Sequence, residues 1–406
     1  MPEKILLQGK DRAVVVIAAG AVFICLTMGV RQSFGLYLAP FTEDLGALGI
    51  GAFSFAVGLQ NIMWGIAAPL FGMVADRRGP VGAAATGGAL YVCGMLLMSS
   101  AADAGGFILA QCFIGFGIAG AGFSVILGAA GKVAPPAHRS MILAIVTAAG
   151  SFGQFALVPV AQYLLEWLGP RGSLQAQAGI LVLLVLLAPL LRLPPEAPRA
   201  AGQNGGGGVL RCAFGSRGYV LLNLGFFVCG FQLVFIATHL PKYAADSGVG
   251  ESAAAWALAM VGLFNIFGTL ACGWLGGRFA KKSVLSVFYL LRSAVIVLFL
   301  IVPLTSVSVV VFGALMGLLW LGTVPLTSGL ISVFFGVRHL SMLYGVTFFM
   351  HQAGSFLGAW LGGRLYNAFG NYDIMWASAA LLGVVAALLH WPIREREDAT
   401  FARSFA

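Results

Sequence analysis

Charge in this chain comes in narrow bands separated by long apolar runs. From Ala13 to Ala39 a single charged side chain, Arg31, interrupts the apolar sequence, within "GVRQSFGLYLAP" (29–40). Runs of about 20 residues are long enough to cross a bilayer as helices. Twelve such spans are predicted, near 13–39, 50–74, 81–101, 105–130, 140–164, 173–192, 218–240, 251–276, 283–303, 306–331, 340–364 and 372–391. The first is too long, and lacks a clear cleavage site, for a removable signal peptide. The largest polar break, 192–218, is rich in Pro, Gly and Arg and falls between spans six and seven, where a flexible linker belongs. The pattern predicts an all-α membrane protein of two six-helix bundles, 1–192 and 218–406, joined by a cytoplasmic linker over 193–217.

The two halves repeat each other. Gly29, Arg31, Phe34 and Pro40 in span one meet Gly230, Gln232, Phe235 and Pro241 in span seven, each 201 residues later. "GLQNI" (58–62) in span two meets "GLFNI" (262–266) in span eight, and "AGSF" (149–152) in span five recurs at 353–356 in span eleven, both at an offset of 204. Three matches in one order at nearly one offset indicate two parallel repeats with a pseudo-two-fold axis, the plan of a secondary transporter with a midplane cavity.

Composition agrees and adds an orientation. The 406 residues are 60% hydrophobic and 9% charged, with a mean hydropathy of +0.95, against about 25% charged for a soluble domain. The net charge of +9 carries no basic cluster with interleaved aromatics, so it points to anionic lipid headgroups and not to nucleic acid. Eighteen of the 23 lysines and arginines fall on the side holding both termini and three on the other, while Arg31 and Arg292 lie within spans. This bias puts both termini in the cytoplasm. The six cysteines are scattered with no CxxC pair, so neither a disulfide framework nor a metal site is indicated. No Walker motif exists, and no cofactor is expected.

"GMVADRRGP" (72–80), after span two, fits G-x-x-x-D-R-x-G-[RP] with Gly72, Asp76, Arg77, Gly79 and Pro80 in place. It resembles the cytoplasmic loop signature of the major facilitator superfamily, and the resemblance covers the whole chain. "GWLGGRFAKK" (273–282) is its degenerate second copy, with Arg278 kept and Gly277 replacing the aspartate. The resemblance implies a gate of Gly72, Asp76, Arg77, Gly79 and Arg278. Gly72 lets two helices approach closely, and Asp76 faces the positive N-terminus of span eleven near Ser341. A helix cap and lipid anchor alone is the alternative. "WLGTVPLTSGL" (320–330), the stretch 336–363 and "RQSFG" around Arg31 are similar to the bacterial monocarboxylate and oxalate–formate branch. That branch typically places an arginine in span eight for small carboxylates. Here span eight offers Asn265 and Thr269, and no arginine before Arg278.

Polar groups inside the bilayer are candidates for function, since a charge there costs at least about 2.5–3.5 kcal/mol. The fourteen carboxylates all fall outside the predicted span cores, which leaves Arg31 without an acidic partner there. An arginine's planar fork suits a substrate carboxylate; packing on helix carbonyls or reaching outer water is the other reading. Arg292, on span nine, is expected to bond backbone carbonyls or snorkel. His351 is read as a substrate ligand, a proton carrier or a histidine satisfied by hydrogen bonds. Gln352 lies beside it as a ligand candidate, and Gln60, Asn61, Gln154, Gln232, Asn265 and Tyr344 are further candidates, each equally suited to interhelical bonds worth about 0.6 kcal/mol. Phe348, with Trp64, Phe231 and Phe349, is placed along an apolar part of the cavity or in simple packing.

These readings predict a monomeric secondary transporter of a small organic anion, a monocarboxylate first, in a bacterial inner membrane, working by alternating access. Coupling is to protons, through His351 or the substrate, or to a second anion by exchange. Efflux of drugs or metabolites is the runner-up, hinted at only by "GSFGQFALVP" (150–159).

Overall fold

The computed structural model describes residues 2–37, 40–41, 50–193, 206–249 and 251–405. The predicted end of span one at 38–39, the linker positions 194–205 with Glu196 and Arg199, and the carboxylates Glu43 and Asp44 lie outside the described residues.

The apolar runs fold as helices because a backbone in hydrocarbon has to bond within its own segment. Span one is Pro2–Gln32, continued by a 3₁₀ turn over Ser33–Tyr37. Spans two and three are Ile50–Arg78 and Pro80–Ser100, separated only by Gly79 at φ 87°. Spans five and six share the stretch Arg139–Leu187, which folds back at Gly169 (φ 69°). Glycine tolerates that conformation, and Pro170 after it is preset to start a new helix. Spans seven, eight and nine are Arg217–Asp246, Glu251–Arg278 and Lys281–Ile301, and spans eleven and twelve are Leu340–Phe369 and Asp373–His390. Short helices at Gly206–Gly215 and Ala399–Phe405 complete the chain.

Spans four and ten are each made of two pieces, which the runs of apolar residues did not reveal. Span four breaks at Gly122 between Ala104–Ala121 and Phe123–Val133. Span ten breaks between Ser306–Leu318 and Thr323–Phe335. Among the described residues, eleven of the twelve crossings are apolar and long enough to traverse a bilayer on their own. Span eleven, at 30 residues, is long enough but carries Tyr344, Thr347, His351, Gln352 and Ser355. Those polar residues are buried, so the bundle and not lipid receives them. The outward faces are the reverse: Leu186, Ile301 and Leu388 are 66%, 74% and 67% exposed, as a lipid-facing surface requires.

Glycine contacts repeat between the halves. A side chain on Gly153 of span five would overlap the Cys25 carbonyl of span one, and one on Gly354 of span eleven would overlap the Phe227 carbonyl of span seven. A Cβ on Gly115 of span four would lie 2.6 Å from the Gln60 carbonyl oxygen of span two; on Gly317 of span ten it would lie 2.7 Å from that of Val261 of span eight. Both bundles therefore close their internal helix pairs by the same backbone approach.

The halves meet along spans two and eleven and along spans five and eight. Their separation is uneven. At Gly72 the backbone of span two abuts the Ser341 carbonyl with no room for a methyl. A Cβ on Gly65 would lie 3.0 Å from Gln352, and on Gly58, another two turns along, 3.9 Å from Phe356. On the other seam Gly273 presses on Ala144, while Gly262 has nothing within 4 Å. The molecule is shut at its Asp76 end and splayed at the opposite one.

Candidate functional site

The site is assembled around one aromatic contact between the halves. Trp64 on span two and Phe348 on span eleven lie 4.7 Å apart, centroid to centroid, and both are buried. The break at Gly122 turns the second piece of span four so that Phe123 joins them, 6.1 Å from Phe348. Arg31 reaches this pair from span one, its guanidinium 5.1 Å from the Trp64 ring centroid, a cation–π contact. Arg31 Nη2 donates to Asn61 Oδ1 at 2.7 Å, while Asn61 Nδ2 is held by the Val57 carbonyl at 3.0 Å. Tyr91 of span three lies close on the other side, its hydroxyl donating to the Thr27 carbonyl.

On span eleven the stack continues. His351 lies parallel to Phe348 at 5.4 Å and contacts Phe226 at 5.0 Å. Tyr344, one turn from Phe348, is 6.1 Å from it. Gln352 is 1% exposed and seats its Cβ against Gly65, next to Trp64. Three buried groups here lack any hydrogen-bond partner among the described residues: Arg31 Nε, Gln352 Nε2 and Tyr344 Oη. All three can donate, and all three border the Trp64–Phe348 pair. A buried donor without an acceptor costs about 1–3 kcal/mol, more when charged. A ligand with several acceptor oxygens would satisfy them together.

Other predicted ligands lie elsewhere. Gln232, the counterpart of Arg31, donates to the Ala379 carbonyl of span twelve at 2.8 Å and faces away from the aromatic pair. Asn265 is fully buried and fully used: it donates to Ser151 Oγ across the seam and accepts from Thr269 Oγ1 and the Leu321 amide. It ties the break in span ten to span five. Gln154 is half-buried on span five. Arg292, expected to bond backbone carbonyls or to snorkel, is completely buried and does the former. It donates to the Leu319 carbonyl at 2.6 Å, to the Trp320 carbonyl and to Cys229 Sγ at 3.3 Å. The break in span ten frees those two carbonyls, and a cation at a helix C-terminus suits them.

At the shut end, span two runs on through Arg78, so Asp76 sits in its last turn and not in a loop. Asp76 Oδ2 accepts from the Met342 amide at 2.8 Å, in the first turn of span eleven. Its Oδ1 pairs with Lys132 Nζ at 2.7 Å. Arg77 is exposed, and Arg278 is exposed and stacked over Trp274 at 4.5 Å on its own helix. Lys132, at the end of span four, is the partner that sequence reasoning missed; only its place as the last basic residue before the "APP" turn (134–136) marked it. Gly79 provides the positive φ between spans two and three. His339, just before span eleven, is held to about 4 by burial and by the charges of Arg338, Lys132 and Arg77.

The family model of the Major Facilitator Superfamily matches residues 17–321 and 222–405. The MFS-type transporter YcxA of Bacillus subtilis (strain 168) is 27% identical over 282 residues, covering 64% of this chain and 66% of its own length. Monocarboxylate transporter 13 of Rattus norvegicus is 26% identical over 392 residues, with 90% and 86% covered. The oxalate:formate antiporter of Oxalobacter formigenes is 22% identical over 391 residues, with 92% and 88% covered. Among solved structures, the E. coli fucose:proton symporter FucP superposes with a TM-score of 0.72 at 18% identity, over 93% of this chain and 98% of FucP. The proton:xylose symporter XylE gives 0.71 at 16% identity, over 95% and 96%. Those two likenesses carry the fold alone.

Proposed function

The chain belongs to the major facilitator superfamily, a family of membrane transporters, and on that premise we propose that it moves a small organic anion by alternating access. The substrate class is a monocarboxylate. The observation that carries this reading is the set of unpartnered buried donors, Arg31 Nε, Gln352 Nε2 and Tyr344 Oη, around the Trp64–Phe348 pair. Arg31 has no carboxylate partner among the described residues, and its one hydrogen bond goes to a neutral amide. A carboxylate supplies the missing charge and the missing acceptors at once. The aromatic faces of Trp64, Phe123 and Phe348 then enclose its short apolar tail. Similarity to monocarboxylate transporter 13 and to an oxalate:formate antiporter supports the same class. A drug-efflux site for bulky apolar cations is disfavoured by the guanidinium at its centre.

With both termini in the cytoplasm of a bacterial inner membrane, the shut end is the inner one and the structure is outward-open. Asp76, Lys132 and the Met342 amide form the inner latch, with Gly72 allowing the contact; Gly79 turns the chain behind it. His351, stacked against Phe348, connects the site to proton movement.

The test is carboxylate binding and uptake by the purified chain in liposomes. Arg31→Ala should weaken binding about 10- to 100-fold, the worth of about 1.5–3 kcal/mol for a hydrogen bond to a charged group, while melting unchanged. Normal uptake by that variant would sink the anion site.

A further inference from the structure

A buried sulfur in the C-terminal bundle is surrounded by hydrogen-bond donors from three helices. Cys229 on span seven is fully buried; Arg292 Nη1 of span nine donates to its Sγ at 3.3 Å, and Thr323 Oγ1 of span ten lies 3.3 Å away. His351 of span eleven sits beside it. The hydroxyls of Tyr289 and Tyr344 also lie near this sulfur, and both are buried with no hydrogen-bond partner among the described residues. The remaining titratable neighbours are Cys272 of span eight, close to Arg292, and His390 of span twelve, stacked on Tyr289 at 5.1 Å. No carboxylate contacts this cluster among the described residues; Asp76 is engaged with Lys132 at the far end.

A guanidinium in a membrane interior needs a counter-charge, and the carbonyls of Leu319 and Trp320 offer only dipoles. Among the described residues the acidic group that Arg292 hydrogen-bonds is the Cys229 thiol, and thiolates are the form stabilised beside arginine. Resting on the anion-transport reading, we propose that Cys229 is the proton-coupling acid of the cycle, with Arg292 as the counter-ion of its thiolate.

Unprotonated, Cys229 and Arg292 form a locally neutral pair. A proton entering from the cleft reaches His351, which is 8% exposed, and passes to the sulfur. The step is Cys229–S⁻ plus H⁺ giving Cys229–SH; one S–H bond forms and no other bond changes. An imidazolium at His351 would place a second positive charge beside Arg292, whereas the sulfur takes the proton by giving up a negative one. The charge of Arg292 is then uncompensated, and the cleft gains attraction for a carboxylate at Arg31. Linkage is reciprocal, so the bound carboxylate favours the protonated thiol by the same factor. Proton and anion travel together without any membrane carboxylate. Cys229 occupies the place that Met28 holds in the N-terminal half, 201 residues earlier, so one bundle alone carries the device.

Two measurements test this. The ultraviolet difference spectrum of wild type minus Cys229→Ser, read on the solubilised protein, should titrate as a thiolate. Addition of lactate to the same wild-type protein in weak buffer should be accompanied by uptake of a proton, lost in Cys229→Ser while lactate still binds. The pH profile of lactate uptake in liposomes should flatten in that variant. A difference spectrum with no thiolate signal overturns the proposal, as does a Cys229→Ser protein that keeps wild-type proton uptake. A wild-type chain that binds no carboxylate from a lactate, formate and oxalate panel would sink the transport reading, while the thiolate titration, read without substrate, still decides the ion pair.

Discussion

Among the described residues each bundle holds one arginine within its spans, Arg31 half-buried and Arg292 fully buried, and the two are transposed. Arg31 projects from span one toward Tyr91 of span three; Arg292 projects from span nine toward Cys229 of span seven. Arg292 stands 201 residues after Tyr91, the same offset that relates Arg31 to Gln232. The guanidinium thus sits on opposite partners of equivalent helix pairs. Arg31 as the unpaired charge was legible from an acidic census of the chain. Cys229 was not, because a cysteine in an apolar run looks like any small hydrophobe until its neighbours are known. Neither was the satisfaction of Asn265 or the bond from Gln232 to the Ala379 carbonyl, since a hydrogen-bond partner on another helix leaves no local trace. At this scale the latch also makes a prediction. Asp76→Asn keeps the shape but removes the charge that Lys132 and the Met342 amide share. With charge-assisted bonds worth about 1.5–3 kcal/mol, the ratio of shut to open molecules should fall about 10-fold or more. Spin labels at the Asp76 ends of spans two and eleven would report it; unchanged distances would refute the latch.

Among elements, spans four and ten carry the information that their hydropathy concealed. Both are long apolar runs, and nothing in their composition distinguishes a continuous helix from two pieces sharing an axis. The break in span four delivers Phe123 to the aromatic pair, and the break in span ten is held open by Arg292 on its carbonyls and Asn265 on the Leu321 amide. The predicted limits of most spans, by contrast, followed directly from charge bands and from Gly–Pro pairs such as Gly79–Pro80 and Gly169–Pro170. The extra length of span two, which takes Asp76 into a helix, was missed because charged residues normally end such a run. Asn265→Ala should strip the acceptor from Leu321 and the donor from Ser151, each loss costing about 1–3 kcal/mol. A lowered melting temperature with carboxylate affinity retained is the expected result. Weakened binding at an unchanged melting temperature would return Asn265 to the substrate site.

For the whole molecule, the closure of one end and splay of the other fix which side senses pH. His339 lies at the shut end, where burial and three neighbouring cations press it from the ordinary value near 6.5 down to about 4. In this state it stays neutral over that interval, while in a state with the end open to water it would bind a proton. The conformation with the lowered value binds fewer protons and loses relative stability as pH falls. Acidifying the face at the shut end from pH 7 toward 5 should therefore shift the population toward opening at that side, and His339→Gln should abolish the shift. Single-molecule distances across spans two and eleven, with pH set on one side of the membrane, would show it; an identical response in the variant would exclude His339. The two-bundle plan itself was legible from the repeat at offsets of 201 and 204, since six-helix units with a shared ancestor pattern keep their spacing. Which end is shut was not, because both conformations use the same helices.

Span eleven has a consequence for how the chain is made. It is the crossing least able to partition into lipid unaided, since His351, Gln352 and their polar neighbours lie along its middle. A ribosome-bound chain delivers it next to last, after spans two and seven, the two helices it lies against, have been synthesised. Its insertion is therefore an act of assembly and not of partitioning: the helix enters a groove already lined by its partners. The polar residues along span eleven thus impose an order on biogenesis, in which spans two and seven act as a template for its insertion.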